Sequence, residues 1–374
     1  MRQAPASRQG KARTLMLSQN PSPRFAYLEL SSILGRDGDE ELTGYFTRLG
    51  FHTQNTHTPD GARPAWRSTQ MQRGSFRLMI TGHRSGSSLY PRVLHSGPYF
   101  SAAAFTTTDL PFTLTRAQES GLTILDPIGY LPDGSVYCNI EGPGGIVYTF
   151  IHDHTRRADW GAGDGHAGIG SLDHIAVVTT RNDHRRVIDA HRILFGEDSW
   201  HPIPLTRLPS GEAMGSGFIH AGDVRITLVW AEGECRQLTG FRAVNGGDGI
   251  QHAALRVDGQ IIPEVDKAHA NGIQFRDAPD TYYDHLEKRL EHPVPGLGDL
   301  KARGILADDD EYTRPGDGPR GIRQIFAAPF GVSERGPFIE LIDRSGGGQT
   351  FGGRNVLALA ESVELAALRA ASRA

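Results

Sequence analysis

The chain has 374 residues, enough for two ordinary domains and a sizeable core. Its 39 Lys and Arg against 43 Asp and Glu leave a net charge of −4, so nothing points to nucleic acid, and no apolar run reaches membrane-spanning length. Two cysteines, Cys138 and Cys235, argue against a disulfide framework, exclude a four-thiolate zinc site and fit a reducing, cytoplasmic compartment.

Residues 1–24 carry Arg2, Arg8, Lys11, Arg13 and Arg24 and no acidic residue. They lack the sustained apolar segment of a signal peptide and read as a disordered tail, with a transit peptide as the second reading. Phe25 to Leu30 has strand composition. Glu40 to Leu49 is amphipathic at helical spacing, and Gly50 suits its C-terminal end. Strands follow at 76–81 and 100–107, then a helix over 112–120 ended by Gly121, then a strand at 146–151. Residues 155–170 contain five glycines and read as a linker. The second half repeats the plan. It has a strand at 172–179, a helix near 183–195 ended by Gly196, and a hairpin around Gly222-Asp223. A strand at 250–257, a helix near 261–270 and a strand at 338–343 complete it.

Three of the strands carry chemistry. Glu340 lies in Gly336 to Asp343 among apolar residues, where a carboxylate is costly unless it is paired or bound to metal. His174 lies in 171–178 and His252 in 249–257. Taken singly, each has a plain reading, as a water-facing edge glutamate or a satisfied core histidine. Together, two histidines and one carboxylate from separate strands make a facial triad, which leaves coordination positions open and suits non-haem Fe(II). Two other groups read as solvated surface. His152 and His154 abut the glycine-rich linker, and the acidic run 308–311 lacks the glycine and alternation of a calcium loop.

Six short words occur in one order: Leu-Asp-His at 172–174, Gly-Ile-Gln-His-Ala-Ala-Leu at 249–255, Pro-Asp-Thr-Tyr-Tyr-Asp at 279–284, Gln-Ile-Phe at 324–326, Phe-Ile-Glu-Leu-Ile at 338–342 and Phe-Gly-Gly-Arg-Asn at 351–355. In these the chain resembles the 4-hydroxyphenylpyruvate dioxygenases and 4-hydroxymandelate synthases of the vicinal oxygen chelate superfamily. The resemblance implies an α+β fold of two tandem domains, each of paired βαβββ modules forming a half-open barrel, with a C-terminal helix. The implied boundaries are a non-metal domain at 25–154 and a catalytic domain at 171–374, whose last helix lids the pocket.

The resemblance also implies a chemistry. Fe(II) on His174, His252 and Glu340 would act with a 2-oxo acid and dioxygen, the substrate supplying electrons as it loses carbon dioxide. Substrate-contacting positions carried over are Gln324, Gln251, Phe326, Ser216, Ile339, Phe351, Asn355 and Val356. Strict strand alternation would send Gln251 away from the face of His252. The sequence admits a homo-oligomer without specifying one.

Aligning the halves sets Tyr27 against His174, Ala102 against His252 and Phe150 against Glu340. The N-terminal half then has the scaffold without the ligands. About forty extra residues near 280–322 read as a long excursion. Three departures bear on substrate and product. Ile339 stands where the dioxygenases carry Phe, and Val356 likewise replaces Phe. Val229 to Gly233 replaces their Pro-Ile-Asn-Glu-Pro. The leading expectation is a decarboxylating dioxygenase of an arylpyruvate. Its rivals are the same chemistry on an aliphatic or modified 2-oxo acid, and a metal-free binding or resistance protein on this scaffold.

Overall fold

The computed structural model describes residues 23–59, 64–131, 134–142, 145–152, 170–196, 200–207, 211–222, 224–233, 235–257, 259–309, 321–331, 333–344, 348, 352 and 355. Strands of the first half are β1 (Arg24–Ile33), β2 (His52–His57), β3 (Trp66–Arg73), β4 (Phe76–His83), β5 (Tyr99–Thr107), β6 (Ile124–Tyr130), β7 (Val136–Glu141) and β8 (Val147–His152). Those of the second are β9 (Leu172–Thr179), β10 (Trp200–Arg207), β11 (Ala213–Ala221), β12 (Val224–Ala231), β13 (Gly249–Arg256), β14 (Leu306–Asp309), β15 (Gly321–Phe326) and β16 (Phe338–Asp343). The strand order is β2-β3-β4-β1-β5-β8-β7-β6 in one half and β10-β11-β12-β9-β13-β16-β15-β14 in the other. The two orders are the same, strand for strand. The halves meet where β5 and β13 pair antiparallel at Ile250 and Phe100.

Alternation explains which face each strand buries. In β9, Ile175 and Val177 join the main apolar core, as do Ile226 and Leu228 of β12, Ala253 and Leu255 of β13, and Ile339 and Leu341 of β16. Each fully buried aliphatic side chain contributes roughly 1.5–3 kcal/mol. The opposite face of the same strands carries His174, His252 and Glu340. Helix His184–Phe195 covers the core face with Val187, Leu194 and Phe195, and Gly196 at φ 121° follows it. Gly222 at φ 68° begins the two-residue connection that lets Ala221 pair with Val224, a turn that needs a positive φ.

Each half carries two β-bulges at matching places. In β1–β5 the ladder slips between Phe25 and Tyr27, and again between Glu29 and Leu30. In β9–β13 it slips opposite Asp173, between Ala254 and Leu255, and again between Ile250 and His252. The extra residues are Ala26 and Ser101 in one half, and Asp173 and Gln251 in the other. A bulge re-aims side chains locally and breaks strict alternation.

The register corrects the repeat alignment at one position. Tyr27 pairs with Ala104 as His174 pairs with Ala254. Ala104 then pairs with Thr149, whereas Ala254 pairs with Glu340. Thr149, not Phe150, is therefore the counterpart of Glu340, and Phe150 belongs to the core. The excursion expected near 280–322 carries structure, and its end belongs to the repeat. Short helices Asp280–Asp284, Leu286–Leu290 and Leu297–Lys301 lead into β14, which pairs with β15. Asp308 is not a solvated charge: it is 3 % exposed and ion-paired to Arg289 at 3.1 Å. Pattern reading also missed the exposed strands β2, β6 and β10, which show no apolar alternation, and helix Arg236–Asn245.

Candidate metal centre

The three ligand strands are neighbours: β13 lies between β9 and β16. Their registers set His174 and Glu340 on either side of Ala254. The His174 and His252 Nε2 atoms lie 3.5 and 3.4 Å from Glu340 Oε2. All three donor atoms fall within 4.8 Å of one another. The His174 and Glu340 side chains are each 4 % exposed, and that of His252 is 15 % exposed, so the cluster opens on the His252 side. Donors in adjacent positions on one divalent ion, at bonds of about 2.1 Å, would sit roughly 3 Å apart. The two imidazole–carboxylate distances lie close to that spacing, and the wider limit of 4.8 Å leaves the imidazoles to draw together on the ion.

The electrostatics fit a cation. Burial opposes charge on His174, but hydrogen bonds to Asp173 and Glu340 outweigh it and push its pKa up. Burial and the neighbouring His174 hold His252 well below its ordinary value, in the neutral form that ligates metal. The His252 ring stacks on Phe338 with centroids 4.9 Å apart, and Phe326 stands edge-on to Phe338 at 5.9 Å. Phe326 pairs with Glu340, and Gln324 with Ile342, so both side chains share the ligand face.

Behind His174 lies a buried chain of charge. His174 Nδ1 donates to Asp173 Oδ1 at 2.9 Å, leaving Nε2 for the centre. Arg344 holds both Asp173 oxygens, each at 2.7 Å, and donates to the Gly348 carbonyl at 3.2 Å. Burial alone would raise the Asp173 pKa, but His174 and Arg344 hold it far below the carboxylate range. Asp173, Arg344 and Phe338 were missed from sequence. The Asp-His dipeptide was the available signal.

The other expected positions divide. Gln324 is 2 % exposed, and Gly352 passes directly over it at φ 66°, where a Cβ would lie 2.6 Å from Gln324 Oε1. Gln251 is 6 % exposed and sits at the bulge. Its counterpart Ser101 bonds Ser31 at 2.8 Å, a residue on the same face of β1 as Tyr27. The alternation objection to Gln251 therefore falls. Ser216 pairs with Val229, which pairs with Val178, so Ser216 shares the face of His174 two strands away. The glycines flanking it serve packing: a Cβ at Gly215 or Gly217 would strike the Trp230 or Trp200 ring at 2.3 and 2.4 Å. Ile339 does not join the site. It is 1 % exposed in the main core, on the face opposite Glu340.

Asn355 is fully buried, and its Oδ1 accepts from Tyr282 Oη at 2.6 Å and from Arg289 at 3.1 Å. Phe351, Val356 and the C-terminal helix lie outside the described residues. Among the described residues, His252 Nδ1, Gln324 Oε1, Thr227 Oγ1 and Asn355 Nδ2 are buried without a hydrogen-bond partner. Thr227 is on the ligand face, paired with Ala176. The orphaned atoms of His252, Gln324 and Thr227 lie on the ligand face, where a bound polar ligand would satisfy them.

The profile of the Glyoxalase/Bleomycin resistance protein/Dioxygenase superfamily matches residues 33–150. A 4-hydroxyphenylpyruvate dioxygenase of Pseudomonas sp. (strain P.J. 874) is 37% identical, over 91% of this chain and 93% of its own length. One from Legionella pneumophila subsp. pneumophila (strain Philadelphia 1) is 35% identical over the same shares. Among solved structures, a triple mutant of 4-hydroxymandelate synthase from Streptomyces coelicolor superposes with a TM-score of 0.75 at 25% identity, covering 92% of this chain and 98% of that one.

Proposed function

The chain belongs to the 4-hydroxyphenylpyruvate dioxygenase family, and on that footing we propose that it is an Fe(II)-dependent dioxygenase that decarboxylates an arylpyruvate. The observation that carries the proposal is the convergence of His174, His252 and Glu340 on one point. Bound there, Fe(II) would supply oxygen activation, with three protein donors leaving three positions for the 2-oxo acid and dioxygen. The remaining work falls to the chain. Phe338 and Phe326 wall one side of the centre and keep it apolar. Gln324 and Thr227, on the ligand face, each hold an unused buried polar atom to orient the substrate. Burial of His174 and Glu340 keeps bulk water from the reacting atoms.

Oxygen uptake and carbon dioxide release, measured with Fe(II) across a panel of 2-oxo acids, test the proposal. Coupled consumption is expected, with 4-hydroxyphenylpyruvate among the substrates. Protein that holds one equivalent of iron and consumes no 2-oxo acid would overturn it. A second reading keeps the chemistry and changes the acid. It is favoured by Val229 to Gly233 and by Val356, which replace the dioxygenases' pocket residues. In the same assay it gives turnover of aliphatic or modified acids in preference to the arylpyruvate. Protein that retains no iron would favour the metal-free binding reading.

A further inference from the structure

We infer that Asp173 and Arg344 are positioning residues that lock two of the three ligands into one geometry before any metal arrives. The inference rests on reading His174, His252 and Glu340 as a metal centre, and it concerns residues that ligate nothing themselves.

The bulge is where the inference starts. Asp173 is the extra residue of its ladder, so it can turn beside its own neighbour and accept from His174 Nδ1 at 2.9 Å. That contact fixes the tautomer and the ring plane of His174 and aims Nε2 at Glu340. Arg344 sits one residue beyond β16, the strand that carries Glu340. Its two bonds of 2.7 Å to Asp173 reach past β13, which lies between β9 and β16 in the sheet. A span of two strand spacings is roughly 10 Å. The pair therefore ties the His174 strand to the Glu340 strand directly, independently of the ladder.

The scaffold has no need of this pair. A buried ion pair is often no better for stability than well-packed apolar residues. The first half of the molecule makes the comparison internally. It keeps the same bulge, but the extra residue is Ala26, packed against Ala104 and Ile151, and Tyr27 stands in place of His174. At this bulge the carboxylate stands beside His174 and gives way to Ala26 beside Tyr27.

The test is anaerobic titration of the full chain with Co(II), following the visible bands of the bound ion, with circular dichroism to monitor folding. The wild type is expected to bind one equivalent; its failure to do so would remove the metal-centre reading itself. Asp173→Asn keeps shape and an acceptor atom but loses the charge and the paired grip of Arg344. It should weaken Co(II) binding by about 10–100-fold and alter the bands. Arg344→Lys, a point charge that cannot hold both oxygens, is the second variant and should weaken binding in the same direction but less. Wild-type affinity and bands in whichever variant folds, with loss confined to stability, would overturn the inference.

Discussion

At the residue scale, the geometry ranks the ligands by how much of their setting is shared. Glu340 lies within 3.5 Å of both imidazole Nε2 atoms, so it is the common partner. Replacing Glu340, His174 or His252 with Ala should abolish stoichiometric iron retention while leaving the fold intact, measured by metal analysis of anaerobically prepared protein beside circular dichroism. Retention of iron by any one variant would remove that residue from the centre. Val356 carries a second expectation, argued from its side chain alone. Val is smaller than the Phe of the dioxygenases at the matching position and leaves the substrate ring less braced. With 4-hydroxyphenylpyruvate, the wild type should favour a mandelate-type product and Val356→Phe should shift toward homogentisate. Chromatography of the products decides this, and homogentisate as the main wild-type product would refute it.

At the element scale, the segment 280–309 earns its place through Tyr282. Its hydroxyl bonds Asn355 and accepts from the Ala307 amide at 3.0 Å, while Arg289 reaches Asn355, the Ala307 carbonyl and Asp308. Tyr282, Asn355, Ala307 and Asp308 are buried, and removing the hydroxyl leaves the Ala307 amide without its partner. Tyr282→Phe should therefore lower stability by about 1–3 kcal/mol in denaturant titration. It should also impair turnover more than an equally destabilising change in the first half.

The same elements mark how far sequence reasoning reaches. Strands 172–179 and 338–343 were legible as short runs of mostly branched apolar residues buried on both faces, and helix 261–270 by its helical apolar spacing. Glu340 was legible because a lone carboxylate in such a strand has few uses. For Gln251 strict alternation pointed away from the ligand face, and Asp173 drew no reading at all, because a bulge adds one residue without any compositional mark. Strands β2, β6 and β10 were invisible because both of their faces are largely exposed, which leaves no alternation to read.

At the scale of the whole molecule, the halves are joined by more than one sheet pair. Tyr148 of β8 donates to His191 Nε2 at 2.7 Å, and His191 Nδ1 donates to the Val187 carbonyl at 2.7 Å. Burial pushes the His191 pKa down to about 4, so the folded protein holds it neutral. An unfolded chain would take up the proton near pH 6.5. Stability from this group is thus fully present above about pH 6.5 and is lost as pH falls toward 4, by roughly 3 kcal/mol in all. Thermal melts of the wild type should fall over that window, and those of His191→Gln should fall less. Equal slopes would place the acid sensitivity elsewhere.

The paired bulges also bear on how this chain can change over generations. A substitution at 173 or 251 alters one side chain and leaves every neighbour on its own face. A deletion of either residue restores unbroken alternation. Leu172 and His174, or Ile250 and His252, then become consecutive opposite consecutive partners, and each flank keeps its own face and register. What goes with residue 173 is the carboxylate that holds His174 Nδ1 and Arg344. Residues 173 and 251 are thus separable from the fold that carries them: each can be replaced, or dropped with its codon, without moving a core residue to the other face.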